Sequence, residues 1–103
     1  MAQVRFRPQA WTDIFETAAY LESQAGFELA DRFIDAVRET AKILEKMPLI
    51  GAPCRFRSHE LRGFRTLQVT GFERWLIFYQ TADKKVEIAR VLHGARDLNL
   101  LFP

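Results

Sequence analysis

The chemistry this chain can offer is concentrated in its second half, in Glu60, Arg62, Arg65, Arg74, Tyr79, Arg90, His93 and Arg96. A histidine transfers protons near neutral pH, which suits His93 to general acid-base work. Arg65 or Arg90 could stabilise the charge of a phosphorane-like transition state, and Glu60 could act as a base. Together Glu60, Arg65, Arg90 and His93 would suit metal-free cleavage of RNA through attack by the 2′-hydroxyl. No His/Asp/Glu spacing for zinc, glycine-rich phosphate loop or supported Ser/His/Asp arrangement is present, so neither a metal nor a cofactor is expected. Each residue also has a structural reading. His93 can hydrogen-bond the turn at Gly94, Arg90 can pair with Glu87 or with an acid from a helix, and Arg96-Asp97 can form a local ion pair. On the residues alone, the structural reading outweighs the catalytic one. Trp75 and Tyr79 fall on one face of a strand and read as core.

The elements that must position these residues follow from hydrophobic spacing. Around the histidine, Val86, Ile88, Arg90 and Leu92 alternate with Glu87, Ala89, Val91 and His93, a strand pattern that Gly94 ends. Gln3 to Arg7 alternates in the same way and predicts a short first strand, closed by Pro8. Trp11, Ile14, Phe15, Ala18 and Leu21 then follow helical spacing, with Asp13 and Glu16 near the start. Gly26 separates that helix from a second, carried by Ala30, Phe33, Ile34, Val37, Ala41 and Leu44 and ended by Met47-Pro48. Leu49 to Arg57 has no period and reads as a crossing loop.

Two further strands are predicted beyond it. In the first, Arg65, Leu67 and Val69 alternate with Phe64, Thr66 and Gln68, and Thr70 to Glu73 forms a turn. The second, Arg74 to Thr81, is almost wholly apolar, as a central strand would be. Ala82 to Lys85 is a hairpin turn. The order β-α-α-β-β-β defines an α+β domain, with a helical hairpin on one face of a mainly antiparallel small sheet. Trp11, Phe15, Phe33, Ile34 and Val37 should cover that face, leaving the other free for polar residues and a site.

Composition narrows the setting. A chain of 103 residues forms one domain with one core, here residues 1–103. No apolar run is long enough to span a bilayer and the N-terminus lacks a signal-peptide core, which predicts a cytoplasmic protein without a membrane partner. Cys54 is the only cysteine, so no disulfide framework is possible, and it reads as a reduced bystander in a loop. The formal charge of +2 does not define a nucleic-acid binder. Between Arg55 and Arg74, however, five arginines (55, 57, 62, 65 and 74) face only Glu60 and Glu73, a local basic patch suited to phosphate or an acidic partner. Asn99 to Pro103 is an apolar tail able to pack on the fold or dock on a partner.

Four features together resemble the RelE/ParE toxins of bacterial type II toxin-antitoxin systems. They are the element order, the hairpin ending in Met47-Pro48-Leu49-Ile50-Gly51, the E-L-R at Glu60 to Arg62 with the R-W-L-I-F-Y strand, and above all R-V-L-H-G-A-R-D from Arg90 to Asp97. The resemblance spans nearly the whole chain, and its last motif is more similar to the ParE branch. It implies a small toxin neutralised by a cognate antitoxin whose disordered segment folds on it. ParE-like members inhibit DNA gyrase, whereas RelE-like members cleave mRNA on the ribosome. The absence of lysine between Met47 and Asp83, and of a tyrosine after Tyr79, favours the gyrase-directed branch. The candidate surface for target or antitoxin is then Arg62, Arg65, Arg74, Arg90, His93, Arg96, Leu101 and Phe102.

Overall fold

The computed structural model describes residues 1–54 and 63–97. The elements are β1 (Gln3–Phe6), α1 (Pro8–Ala25), α2 (Phe27–Lys46), β2 (Ala52–Pro53), β3 (Phe64–Val69), β4 (Phe72–Ala82) and β5 (Lys85–His93). They form one mixed sheet in the order β1-β5-β4-β3-β2, with β1 parallel to β5 and every other pairing antiparallel. This is the expected α+β arrangement with one addition. The stretch read as a crossing loop contains β2, two residues that pair with Thr66 and Arg65. So short a strand leaves no periodicity to read.

The helices form as their sequences dictate. Pro8 opens α1 after an extended Arg7, and its missing N–H costs nothing in a first turn. Gly26 adopts φ 92°, a left-handed conformation that admits two helices with a single residue between them. Ala30, Phe33, Val37, Ala41 and Leu44 of α2 are buried at helical spacing. Thr40, also buried, donates to the Ala36 carbonyl and accepts the Thr70 N–H at 3.0 Å, which ties α2 to the β3–β4 turn.

The buried stripe of α1 departs from expectation. It comprises Ala10, Asp13, Ile14, Ala18 and Leu21, whereas Phe15 is 58% exposed and Trp11 only half-buried. Hydrophobicity alone misplaced the helix face, because one inward position is held by a carboxylate. Asp13 also lies beyond the first turn, which contains no acid, so the helix dipole does not explain it.

The alternation of β5 is interrupted as well. Phe78 of β4 lies opposite Arg90, and the next residue, Tyr79, lies opposite Ile88, so Ala89 is an extra residue forming a β-bulge. Val86, Ile88 and Val91 therefore join Ile77, Tyr79, Phe33, Val37 and Leu44 in the core beneath the helices. Ala89 and Leu92 turn to the other face with Phe64 and Phe78. Arg90 does not continue the row of Val86 and Ile88, and the far face is not the polar surface that the simple pattern predicted. It carries a second apolar cluster, against which Leu76 and half-buried Cys54 pack. Polar groups lie at its margin, where Arg7 ion-pairs with Glu87 and donates to Gln80 Oε1 at 2.9 Å.

Candidate functional site

The C-terminal part of β5 and the turn beyond it are built around Asp13. β1 ends at Phe6, opposite Ile88, so among the described residues the β5 backbone has no strand neighbour on that side from Arg90 onward. There α1 takes the place of a strand. Asp13 Oδ2 accepts the Val91 N–H at 3.1 Å and Arg90 Nε at 2.8 Å, while Oδ1 accepts a second Arg90 nitrogen at 3.0 Å. Gln9 Nε2 also donates to Oδ1, at 3.3 Å. Asp13 is only 6% exposed, so a desolvated carboxylate is held by a guanidinium fork and a backbone amide. The bonds to Asp13 push the Arg90 guanidinium's already high pKa further up, against the opposing effect of burial.

The turn that follows is locked residue by residue. The Gly94 N–H donates to the Arg74 carbonyl at 2.7 Å. His93 gives its N–H to Asp97 Oδ2 at 3.0 Å, and its Nδ1 accepts the Arg96 N–H at 3.1 Å. In the neutral ring this acceptor role assigns the proton to Nε2. The ring meets Trp75 edge-on at 4.9 Å, and the Arg96 guanidinium lies 5.0 Å from the Tyr20 ring on α1. Arg96 also lies 3.7 Å from Asp97, as the sequence suggested. Between α1 and this turn is an open cleft of about 380 Å³, lined by Glu16, Tyr20, Arg90, Arg96 and Asp97 among others. Its cations are balanced by adjacent carboxylates.

Arg65 belongs to a different place. It lies opposite Tyr79, under the end of α2, and its guanidinium donates to the carbonyl oxygens of Gly51 at 2.7 Å and Leu49 at 3.3 Å. Tyr79 is fully buried, and its hydroxyl accepts the Gly51 N–H at 2.8 Å. Burial raises the Tyr79 pKa, an effect only partly offset by that bond and by Arg65. His93 lies opposite Trp75, so four residues of β4, about 13 Å, separate its level from that of Arg65, on the opposite flank of the strand.

The structure thus gathers Arg90, His93 and Arg96 at one end of β5 and leaves Arg65 at the other end of the sheet. Arg74 is exposed and lines a depression of about 420 Å³ with Gln68, Leu76 and His93. Glu60, Arg62, Leu101 and Phe102 lie outside the described residues. Among the described residues no group of three His, Cys, Asp or Glu side chains could hold a metal ion, and no helix is long and apolar enough to cross a membrane. Sequence reasoning anticipated an acid from a helix as the partner of Arg90 without singling out Asp13, and it missed Tyr20 and the Gly51–Tyr79 bond. Only Asp13 left a trace, as a carboxylate between Ala10 and Ile14 on the apolar stripe.

Residues 4–98 match the sequence profile of the ParE toxin of the type II toxin-antitoxin system parDE. The chain belongs to the ParE toxin family. The match extends from β1 through the His93–Asp97 turn, so the Asp13-anchored end of β5 lies within the family domain. The fold of this ParE-family chain is similar to a chain of the chromosomal ParDE TA system from P. aeruginosa, with TM-score 0.74 and 19% identity over 90% of this chain and 96% of that one. It is also similar to YafQ from E. coli strain BL21(DE3), with TM-score 0.59 and 16% identity, and to a point mutant of E. coli YafQ, with TM-score 0.62 and 15% identity. Both YafQ matches cover 100% of each chain. No curated protein sequence matches it. At these identities the structural likenesses speak to fold.

Proposed function

We propose that this ParE-family chain is a toxin that arrests growth by binding DNA gyrase rather than by cutting RNA, and that a cognate antitoxin neutralises it. The observation that carries this reading is the employment of the basic residues. Arg90 is bound to buried Asp13, and Arg65 to the carbonyls of Leu49 and Gly51. His93 Nδ1 is occupied by the Arg96 amide. A ribonuclease of the kind the sequence suggested needs arginines turned toward a phosphate and a histidine beside them. Here Arg90 and His93 brace one end of the sheet and Arg65 the other. The ParE profile supports the gyrase target through the family resemblance, and the likeness to a chain of a ParDE system supports an antitoxin partner.

The test is to express the chain without antitoxin in cells carrying a DNA-damage reporter, and to add purified chain to gyrase. The reading expects reporter induction, together with blocked supercoiling or accumulated gyrase–DNA cleavage complexes. A gyrase unaffected by excess toxin would count decisively against it.

A second reading draws on the YafQ likeness over the full chain. A ribosome-dependent ribonuclease would use His93, with Arg65, Arg90 and Glu60 as the remaining candidates. It expects codon-linked mRNA cuts in arrested cells and no reporter induction. Growth unaffected by expression would point instead to a chain that binds antitoxin without toxicity.

A further inference from the structure

Exposed apolar side chains gather just beyond the end of α2. Seven large ones are exposed among the described residues, and three of them, Met47 at 51%, Leu49 at 62% and Ile50 at 45%, fall within four consecutive positions. Single exposed apolar residues are ordinary, but a run of them is not. Nor is this run a slack loop. The Ile50 N–H donates to the Met47 carbonyl at 3.1 Å and closes a turn. Beyond it the buried Tyr79 hydroxyl holds the Gly51 N–H, and the half-buried Arg65 side chain donates to the carbonyls of Leu49 and Gly51. Two groups carried by the sheet thus fix the backbone on both sides of Ile50, while the side chains of Leu49 and Ile50 stay exposed.

The surroundings of the turn are cationic. The Ala2 N–H donates to the Glu45 carbonyl at 2.8 Å and the Gln3 N–H to the Lys84 carbonyl at 2.7 Å, so the end of α2, the start of β1 and the β4–β5 turn meet beside Met47. Exposed Met1 adds apolar surface there. Lys46, Lys84 and Lys85 are exposed in this region, against exposed Asp83 and half-buried Glu45. Among the described residues none of these three lysines forms an ion pair.

We propose that the turn at residues 47–50 is the surface through which this chain engages its protein target, entering an apolar cleft with an acidic rim. The inference rests on the reading of a protein-directed toxin and adds to it the residues that make contact. A turn whose backbone is already fixed loses little conformational freedom on binding, so Met47, Leu49 and Ile50 are buried at a small ordering cost. The lysines steer the approach to an acidic surface. A second copy of this chain is a poor occupant, because two such turns facing each other about a two-fold axis would bring the lysines of both together.

The test replaces these side chains in the full chain and measures three things: growth arrest on expression without antitoxin, the concentration that half-inhibits purified gyrase, and a melting curve. Leu49→Ser with Ile50→Ser should raise the half-inhibiting concentration about tenfold or more and relieve growth arrest, at an unchanged melting temperature. The conservative pair Leu49→Met with Ile50→Val should keep both activities. So should Phe27→Ser, which removes a comparably exposed apolar side chain from the start of α2. Lys46→Glu with Lys84→Glu should weaken inhibition about threefold or more, and most at low salt. If the double serine variant does not fold, Leu49→Ser alone carries the test. Arrest by the unaltered chain with gyrase unaffected and transcripts intact would remove gyrase as the target, and the growth comparison would then decide the surface by itself. Undiminished arrest in the folded serine variant, an equal loss in Phe27→Ser, or a concentration-dependent dimer that the serine variant abolishes would overturn the proposal. An unaltered chain that cuts mRNA or is not toxic would overturn it together with the reading on which it rests.

Discussion

Asp13 on α1 grips Arg90 on β5 with both carboxylate oxygens, at 2.8 and 3.0 Å, and takes the Val91 N–H with one of them. The pair joins a helix to the sheet where β1 has run out of length. It also explains why a strand interior carries an arginine. The side chain belongs to a joint between layers, and the helix supplies its counter-charge.

Removing one partner of such a pair leaves the other desolvated. Asp13→Ala strips Arg90 and the Val91 amide together and should cost about 3 kcal/mol of stability, read as a lowered urea midpoint. The paired replacement Asp13→Leu with Arg90→Met should cost clearly less than the two single changes summed. Additive costs would mean that the two residues are not coupled.

Gly51 sits where no side chain fits. An added Cβ would lie 2.6 Å from the Tyr79 hydroxyl and 2.7 Å from the Thr66 carbonyl oxygen. Gly51→Ala should therefore destabilise by about 2 kcal/mol. Adding Tyr79→Phe should recover only part of that loss, because it removes the hydroxyl and leaves the backbone carbonyl in place. Denaturant midpoints of the three variants check this, and an unchanged midpoint for Gly51→Ala would refute it.

Tyr79 sets an alkaline limit. Burial raises its pKa above the ordinary tyrosine value of 10.0, so the native state holds the phenol proton more tightly than the unfolded chain does. Its contribution is present in full below the unfolded pKa and is lost as pH rises through the native one. Stability should fall above about pH 10, and Tyr79→Phe should flatten that fall. At neutral pH the same change should cost about 1 kcal/mol or more, since the buried Gly51 N–H loses its acceptor. Thermal melts at pH values on either side of about 10 would separate the two effects, and parallel curves for both proteins would contradict the assignment.

His93 distinguishes the two readings of function. If it braces the turn, His93→Ala loses the acceptor for the Arg96 amide and the edge contact with Trp75, lowering stability by about 1 kcal/mol. Gyrase inhibition should then fall only in proportion to the unfolded fraction, and transcripts should be as intact as with the unaltered toxin. Mapping RNA 5′ ends in arrested cells, beside a melting curve, tests this. Abolished mRNA cutting at undiminished stability would establish His93 as a catalytic residue.

Local pattern determined a good deal of this protein by itself. Helical spacing and Gly26 yield the hairpin, apolar runs yield β3 to β5, and the R-V-L-H-G-A-R-D stretch carries the resemblance that the ParE profile match bears out. These are legible because propensity and periodicity act over a few neighbouring residues. Only the tertiary structure decided the rest. The Ala89 bulge reverses which side chains face the helices, and it arises from pairing between strands rather than from the strand's own alternation. The inward turn of Asp13 depends on β1 ending at Phe6, and the roles of Arg65 and Arg90 depend on which carbonyls and carboxylates the fold brings within reach. A basic residue in a sequence is a charge without an address. Packing decides whether it meets a phosphate or, as Arg90 does, a buried carboxylate 77 positions away.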